Sequence, residues 1–403
     1  MLKEIMGYYM PSGFSICLDK TLPDEFNQND STFIHEYIHF LQDIILPYCI
    51  RENLVLINDF AWVCKKIEEK GKLIVPFNDY SDITGKQTEY TWGNGKCKAQ
   101  IGKIVEIAQD YFTSCYGHNI YRYFLKFDDG TIYQIGARDF LEYLAHKIQS
   151  KFWKTNAPDL PYRTVDKLFE YYKLDFIPEA VRLLVIEYCL YNDNPVHFLI
   201  NLFINQKLIE NNKEVFKNYD ECAISLLGLG WQSKGGFDET IFSKTKRRLR
   251  DLNERMALLY PHRQFDSMKK WIENTIKICN TNLSNRFIIS SLYNLEREEL
   301  YRFIDELMKS IGIPIVVFRN KAIRSFIPEQ YNKEQFIEFY ILKEFMGWIH
   351  TRDRGCPIYQ ICAKNYNMQK GVCKKEPEKY DETCIFKLFL KSYCLDNLVI
   401  EYT

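Results

Sequence analysis

Apolar residues recur at helical spacing in the segment "STFIHEYIHFLQDIIL", residues 31–46. The apolar positions are Phe33, Ile34, Tyr37, Ile38, Leu41, Ile44 and Ile45. Asp30 and Ser31 precede them, and both are residue types whose side-chain oxygens accept hydrogen bonds from the free N–H groups of a first helical turn. Pro47 follows the stripe. The pattern predicts an amphipathic helix over residues 31–46, with the polar positions away from the stripe.

A different pattern marks residues 121–135, "YRYFLKFDDGTIYQI". Two runs rich in aromatic and β-branched residues flank the turn sequence Asp128-Asp129-Gly130, which predicts a β-hairpin. Short apolar runs at residues 12–19 and 313–318 predict two more strands.

Helical spacing also predicts helices over residues 53–70, 98–114 and 137–153, and nearly all of the chain after residue 164. Residues 73–95, rich in Asp, Thr, Gly and Tyr, predict a long loop. We therefore expect a mainly α fold with a small β-hairpin and sheet component, an α+β class. The Asn- and Lys-rich stretch near 205–220 predicts a domain boundary. It divides the chain into a first domain over residues 1–205 and a helical second domain over residues 206–403.

Composition narrows the class of protein. Hydrophobic residues make up 46% of the 403 positions and charged residues 26%, which is typical of a folded chain. Lys+Arg and Asp+Glu both number 53, so no net charge attracts nucleic acid or anionic membranes. No apolar run reaches the roughly 18 residues of a membrane span, and the N-terminus lacks the apolar core of a signal peptide. We expect a cytoplasmic protein without a nucleic-acid or membrane partner, whose 13 cysteines are mostly reduced thiols or metal ligands.

The residues His35, Glu36 and His39 form the sequence H-E-x-x-H. Positions i and i+4 of a helix share one face, so the two imidazoles can bind one zinc ion at about 2.0–2.1 Å. Glu36 lies roughly 100° around the helix, where its carboxylate reaches a water on the metal. With seven histidines in the chain, a chance match is expected about once in a hundred such sequences. The alternative is a pair of histidines on an ordinary amphipathic helix.

A catalytic zinc site needs a third protein ligand, with the fourth position left to water. No histidine completes H-E-x-x-H-x-x-G-x-x-H, and the candidates are His118, Glu142 and His146. We favour Glu142, because it lies on the predicted helix over 137–153 and off its apolar stripe. His146 is one turn further along the helix, where it would orient Glu142 by hydrogen bonding. His146 and His118 are also the alternatives to Glu142 as the third ligand. The alternative for Glu142 and His146 is a solvent-exposed pair at i,i+4.

The segments "HEYIHFLQ" and "GARDFLEYLAHKIQ" together resemble the gluzincin branch of zinc metallopeptidases, in which a Glu on a later helix completes the H-E-x-x-H site. They are also similar to bacterial zincin-like proteins. The resemblance covers about residues 1–200. It implies a zincin-like catalytic half, a catalytic Zn²⁺ held by His35, His39 and Glu142, and zinc-bound water activated by Glu36 as general base.

From the site and the resemblance we expect a zinc-dependent metalloprotease that hydrolyses peptide bonds of a protein substrate. The helical second half would select or present that protein partner. One alternative is a zincin-fold binding or regulatory protein without turnover; another is a metal-dependent hydrolase of a small non-peptide amide. Tyr133, His118 and Arg138 are candidates for stabilising the oxyanion. Residues 13–18 or 121–135 would provide an edge strand for an extended substrate.

Five of the cysteines lie between residues 356 and 394. Cys356, Cys362, Cys373 and Cys384 could hold a second, structural Zn²⁺ or an iron–sulfur cluster through four thiolates. The segment has no C-x-x-C pair, so buried and inert cysteines are the alternative.

Overall fold

The structure is a computed structural model of the 403-residue chain. It describes residues 7–9, 14–18, 30–78, 84–94, 98–114, 117–229, 231–232, 238–239, 241–259, 266–282, 286–351, 355–365, 384–395 and 398–402. Over these ranges the chain is mainly helical with small sheets, which confirms the predicted mainly α, α+β class. None of the described helices is both long and apolar enough to cross a membrane.

The helices are numbered in chain order. They are α1 Ser31–Ile45, α2 Pro47–Lys70, α3 Thr84–Trp92, α4 Ala137–Phe152, α5 Thr164–Tyr171, α6 Glu179–Cys189, α7 Pro195–Phe198, α8 Leu208–Asn211, α9 Tyr219–Gly228, α10 Ile241–Leu259, α11 Asp266–Asn282, α12 Ile288–Leu292, α13 Arg297–Ser310, α14 Lys333–Trp348, α15 Tyr359–Asn365 and α16 Ile385–Ser392. A π-helix at Leu199–Asn205 and a 3-10 turn at Val215–Lys217 complete the helical content of the described ranges.

The strands form four small sheets. They are β1 Gly7–Tyr9, β2 Ser15–Leu18, β3 Leu73–Val75, β4 Ile104–Thr113, β5 Asn119–Phe127, β6 Ile132–Ile135, β7 Trp231–Gln232, β8 Asp238–Glu239, β9 Ile315–Phe318, β10 Ile323–Arg324 and β11 Ile400–Tyr402. The orders are β1-β2-β9-β10, β3-β11, β4-β5-β6 and β7-β8. Only β2-β9 and β3-β11 are parallel pairs among the described strands.

Strands from distant parts of the chain meet in the core. β2 pairs with β9 in parallel, from Ser15 opposite Ile315 to Leu18 opposite Phe318. Every residue of both strands is buried, as expected for the continuous apolar runs of a parallel pair covered on both faces. Both predicted strands are therefore confirmed. The predicted domain boundary near residue 205 stays a prediction, although strands from its two sides share sheets and one hydrophobic core.

The predicted hairpin is present as β5 and β6. Gly130 in its turn has φ +79°, a backbone conformation that glycine adopts without strain. The predicted helix over 98–114 is wrong, because β4 occupies most of it and pairs along its length with β5. Cross-strand contacts explain the outcome: Arg122 on β5 forms a 2.7 Å ion pair with Asp110 on β4, and Tyr111 faces Tyr121.

Two further sequence predictions need correction. The predicted loop over 73–95 contains β3 and α3. The second helix begins at Pro47 rather than near residue 53, because a proline at the first helical position loses no hydrogen bond. β3 forms because it pairs with β11, which lies more than 300 residues later in the chain. The local sequence does not reveal such a distant partner.

Helix α1 begins as predicted, with the Asp30 side chain accepting hydrogen bonds from the N–H groups of Thr32 and Phe33. Its polar side does not face solvent, however. Thirteen of its 15 residues are buried, including the polar ones that were expected to face away from the core. The helix packs against β1, β2, α2 and α4, which cover it on several sides. Its polar side chains must therefore find partners inside the protein.

A charged cluster joins α2 to α10. Asp193, which follows α6, lies 2.7 Å from the Arg248 guanidinium and 3.5 Å from Lys244 Nζ. Arg51 on α2 donates to the Asp193 carbonyl at 3.0 Å and lies 4.0 Å from its carboxylate. Burial alone would raise the pKa of Asp193, but the three cations hold this pKa well below its usual range. Arg248 also donates to the carbonyl of Pro47, which connects α10 to the start of α2.

Candidate metal centre

Helices α1 and α4 pack against each other and bring three ligand side chains together. The Nε2 atoms of His35 and His39 are 3.2 Å apart. Glu142 Oε2 lies 3.3 Å from each of them. These three atoms form a nearly equilateral triangle between one turn of α1 and the middle of α4.

The size of the triangle fits a tetrahedral zinc site. Four ligands at about 2.0–2.1 Å from an ion stand roughly 3.3–3.4 Å from one another. The three measured separations of 3.2, 3.3 and 3.3 Å correspond to one face of that tetrahedron and leave its fourth corner free. Within the described part of the chain, this is the one group of three Cys, His, Asp or Glu side chains close enough to share an ion.

The electrostatics of the triad favour a cation. Burial lowers the pKa of His35. His39 is also buried, but the Glu142 carboxylate beside it raises its pKa. Burial would raise the pKa of Glu142, yet the two imidazoles hold it well below its usual range. The site thus presents a carboxylate and two imidazole nitrogens in a desolvated position, a donor set that zinc prefers.

Gln42 orients one of the imidazoles. His39 Nδ1 lies 2.7 Å from Gln42 Oε1, and the Gln42 amide nitrogen donates to the carbonyl of Leu141 at 3.0 Å. An amide held in this direction accepts from Nδ1–H, which leaves the lone pair of Nε2 directed at the triad. Gln42 was missed in the sequence. Its position three residues after His39 on the same helix was the available signal.

Glu36 is 2% exposed. Burial raises its pKa to about 8; the neighbouring His39 acts against this shift and Glu142 adds to it. Its Oε2 atom has no hydrogen-bond partner among the described residues. A buried carboxyl oxygen without a partner is costly in a purely structural position. Beside three side chains that could hold a metal ion, it is the kind of group that can exchange a proton with a bound reactant.

The structure separates the two alternative ligands from the triad. His146 is buried one turn after Glu142, and its ring packs 5.1 Å from that of Tyr162. The Tyr162 ring is in turn 6.0 Å from the ring of His35. Burial lowers the pKa of His146 to about 4, so this imidazole is neutral at neutral pH. His118 is exposed beside the β4–β5 turn and takes no part in the triangle.

The other predicted participants lie as follows. Tyr133 is buried and donates to Asp139 at 2.8 Å, so its hydroxyl is engaged within the core. Arg138 is half-buried on α4, one turn before Glu142. Within the predicted edge strand at residues 13–18, β2 at Ser15–Leu18 is not an edge, because it is paired on both sides, with β1 and β9. Tyr162, next to both His35 and His146, was not singled out in the sequence because it lies in a loop without a regular pattern.

The cysteine segment is described in part. Cys356 is half-buried before α15, Cys362 is buried in α15, and Cys384 is buried at the start of α16. Cys373 lies outside the described residues. Among the cysteines that the structure does describe, no three form a ligand group. The four-cysteine site therefore stays a prediction.

Comparisons with known proteins add no further constraint. The chain matches no protein-family model, no curated protein sequence and no solved structure. What can be said of its function comes from the geometry of the triad and from the residues around it.

Proposed function

We propose that the chain is a zinc-dependent metallopeptidase whose active site is formed by His35, Glu36, His39 and Glu142. The observation that carries the proposal is the triangle of two Nε2 atoms and one carboxylate oxygen, with sides of 3.2–3.3 Å, beside a buried carboxyl group. Three protein ligands and an open fourth position are the arrangement of catalytic zinc, whereas structural zinc uses four protein ligands.

Each side chain has a distinct role. Zinc held at the triangle would supply the Lewis acidity that polarises a carbonyl and lowers the pKa of a coordinated water. Glu36 would accept the proton of the attacking water and pass it to the leaving amine. Gln42 would hold the tautomer of His39. Tyr162, half-buried beside His35, is in position to contact the substrate.

Two considerations favour turnover of a peptide over the alternatives. A binding protein without turnover has no use for the buried Glu36 carboxyl, which costs stability where it stands. A cavity of about 670 Å³ begins at His146 and runs along α4, α5 and α6. That volume falls in the range of substrate sites. The triad itself does not line the cavity, and His146, one turn after Glu142 on α4, is the lining residue nearest to it on that helix.

Metal content measured by mass spectrometry tests the site. We expect the variant that combines His35→Ala with His39→Ala to hold one zinc per chain fewer than the wild-type protein, since two of three ligands are lost. Glu142→Ala should also lose the metal. His118→Ala is the matched control, because this exposed histidine lies outside the triad. Wild-type protein without zinc, or an equal zinc content in the wild type and the double variant, would contradict the proposal.

The Gln42→Ala variant should bind zinc about 10- to 100-fold more weakly than the wild type, as expected when a hydrogen-bond partner of a ligating histidine is removed. The loss of the 2.7 Å contact frees the His39 ring to turn and to change tautomer. Competition with a chromophoric chelator measures the affinity. Gln134→Ala serves as the control, because that amide bonds to the Glu89 carbonyl on the surface. Equal affinities in the two variants would show that Gln42 does not orient the ligand.

A further inference from the structure

The cleft beside the triad is lined almost entirely by charged and polar groups. It has a volume of about 670 Å³ and is walled by α4, the segment 153–163, α5 and α6. Five basic and four acidic side chains line it, with Trp153 as the one large aromatic among them. A peptidase subsite for an apolar residue would be lined by aliphatic and aromatic groups. This cleft is therefore suited to a charged residue.

The charged side chains on the floor of the cleft are paired with one another. Lys147 forms ion pairs with Asp166, at 2.9 Å, and with Glu179. Arg182 lies 3.6 Å from Asp166 and donates to the carbonyl of Ile177. Asp166 and Glu179 also accept hydrogen bonds from two tyrosine hydroxyls. Because each of these acids has two or more partners, the floor offers little to a basic side chain of a ligand.

The rim, by contrast, has an excess of positive charge. Arg163 is 57% exposed, and its contact with Asp159 is long, at 3.7 Å. The Asp159 carboxylate also accepts a hydrogen bond from the N–H of Ile101, so it is not engaged by Arg163 alone. Lys154 is exposed and forms no ion pair with any described residue. The rim thus presents one guanidinium and one ammonium group whose charges are at most partly offset by described acidic residues.

Tyr162 and His146 link the rim to the triad. Arg163 follows Tyr162, whose ring lies between those of His35, at 6.0 Å, and His146, at 5.1 Å. His146 lines the cleft and stands one turn from Glu142 on α4. A peptide that reached both the triad and the cleft would pass Tyr162 and His146 and would bring a neighbouring side chain to the cleft that Arg163 lines.

We propose that the cleft is a specificity subsite for an acidic residue of the substrate, bound by Arg163 and Lys154 next to the bond that is cleaved. The inference rests on the proposed peptidase function, since it names the substrate class for that site. A carboxylate gains charge-assisted hydrogen bonds from the guanidinium, while a lysine side chain meets two like charges at the rim.

Binding of labelled peptides tests the subsite without requiring catalysis. The zinc-loaded Glu36→Gln protein is titrated with short fluorescein-labelled peptides, identical except for Glu, Gln or Lys placed in turn at each position. We expect the best Glu peptide to bind about tenfold or more tightly than its Lys counterpart, a preference that weakens at high salt because the rim is exposed. Arg163→Glu combined with Lys154→Glu should reverse the order.

Lys270→Glu combined with Lys391→Glu in the same background is the matched control, because these two exposed lysines, on α11 and α16, change the net charge equally but do not line the cleft. Equal binding of the Glu, Gln and Lys peptides, or a preference that survives the double substitution, would overturn the subsite. The two proposals fail separately. Cleavage by the wild type without charge preference contradicts the subsite alone, and charge-selective binding without cleavage contradicts the peptidase function alone.

Discussion

Replacing Glu36 with Gln is expected to reduce peptide hydrolysis by about 100- to 10,000-fold while leaving zinc in place. The amide is nearly the same size as the carboxyl group, so the packing around this 2% exposed side chain is preserved. It cannot accept a proton, however, and the attacking water loses its base. The three ligand side chains are unchanged, so the metal should remain.

Two measurements on the same protein samples check this expectation: the turnover of a cleaved peptide and the zinc content per chain. Glu68→Gln is a suitable control, because Glu68 is an exposed residue of α2. A Glu36→Gln protein that keeps zinc and hydrolyses peptide within a few fold of the wild type would remove Glu36 from the mechanism. A variant that loses its zinc would instead assign Glu36 a role in forming the site.

Replacing Asp193 with Asn should lower the free energy of unfolding by about 2–3 kcal/mol. Removing one partner of a buried ion pair costs about 3–5 kcal/mol, and the 35% exposure of the Asp193 side chain reduces that figure. The variant leaves Arg51, Lys244 and Arg248 close together without the carboxylate that offsets their charges. Denaturant unfolding measures the difference, with the exposed Asp175→Asn as the control.

The effect of Asp193→Asn on the free energy of unfolding should depend on pH. The pKa of Asp193 is depressed in the folded protein, so its contribution to stability is complete above its unfolded pKa, near 3.9, and is lost as pH falls toward the folded pKa. The gap between wild type and Asp193→Asn should therefore be constant from about pH 7 to pH 5 and narrow below about pH 4. A gap that widens on acidification would mean that the carboxylate does not stabilise this cluster.

The elements that the sequence predicted well are those with strong local signals. α1 has a cap residue, an apolar stripe and a proline at its end, and α4 follows directly after β6, the second strand of the hairpin. Since the spacing of His35 and His39 needs only one helix, this part of the site was visible in the sequence. Glu142 was found because α4 was correctly placed and because its position lies off the apolar stripe.

The failures come from contacts between distant residues. β4 was predicted as a helix because its stabilising partners lie on β5, and no local pattern shows that pairing. The burial of α1 on several sides depends on β1, β2, α2 and α4. Gln42 is held in place by a hydrogen bond to the Leu141 carbonyl on α4, and Tyr162 reaches His35 from a loop near residue 160. Their roles therefore appear only when these segments come together in the fold.

The pairing of β2 with β9 has a consequence for how the protein is made. The ribosome releases β2 and α1 early, yet β9 is about 300 residues further along the chain. Contacts between positions so far apart form slowly, since a long loop must close first. Until β9 emerges, α1 lacks the sheet against which it packs. We therefore expect nascent chains to have no assembled His35–His39–Glu142 triad until most of the polypeptide has been synthesised.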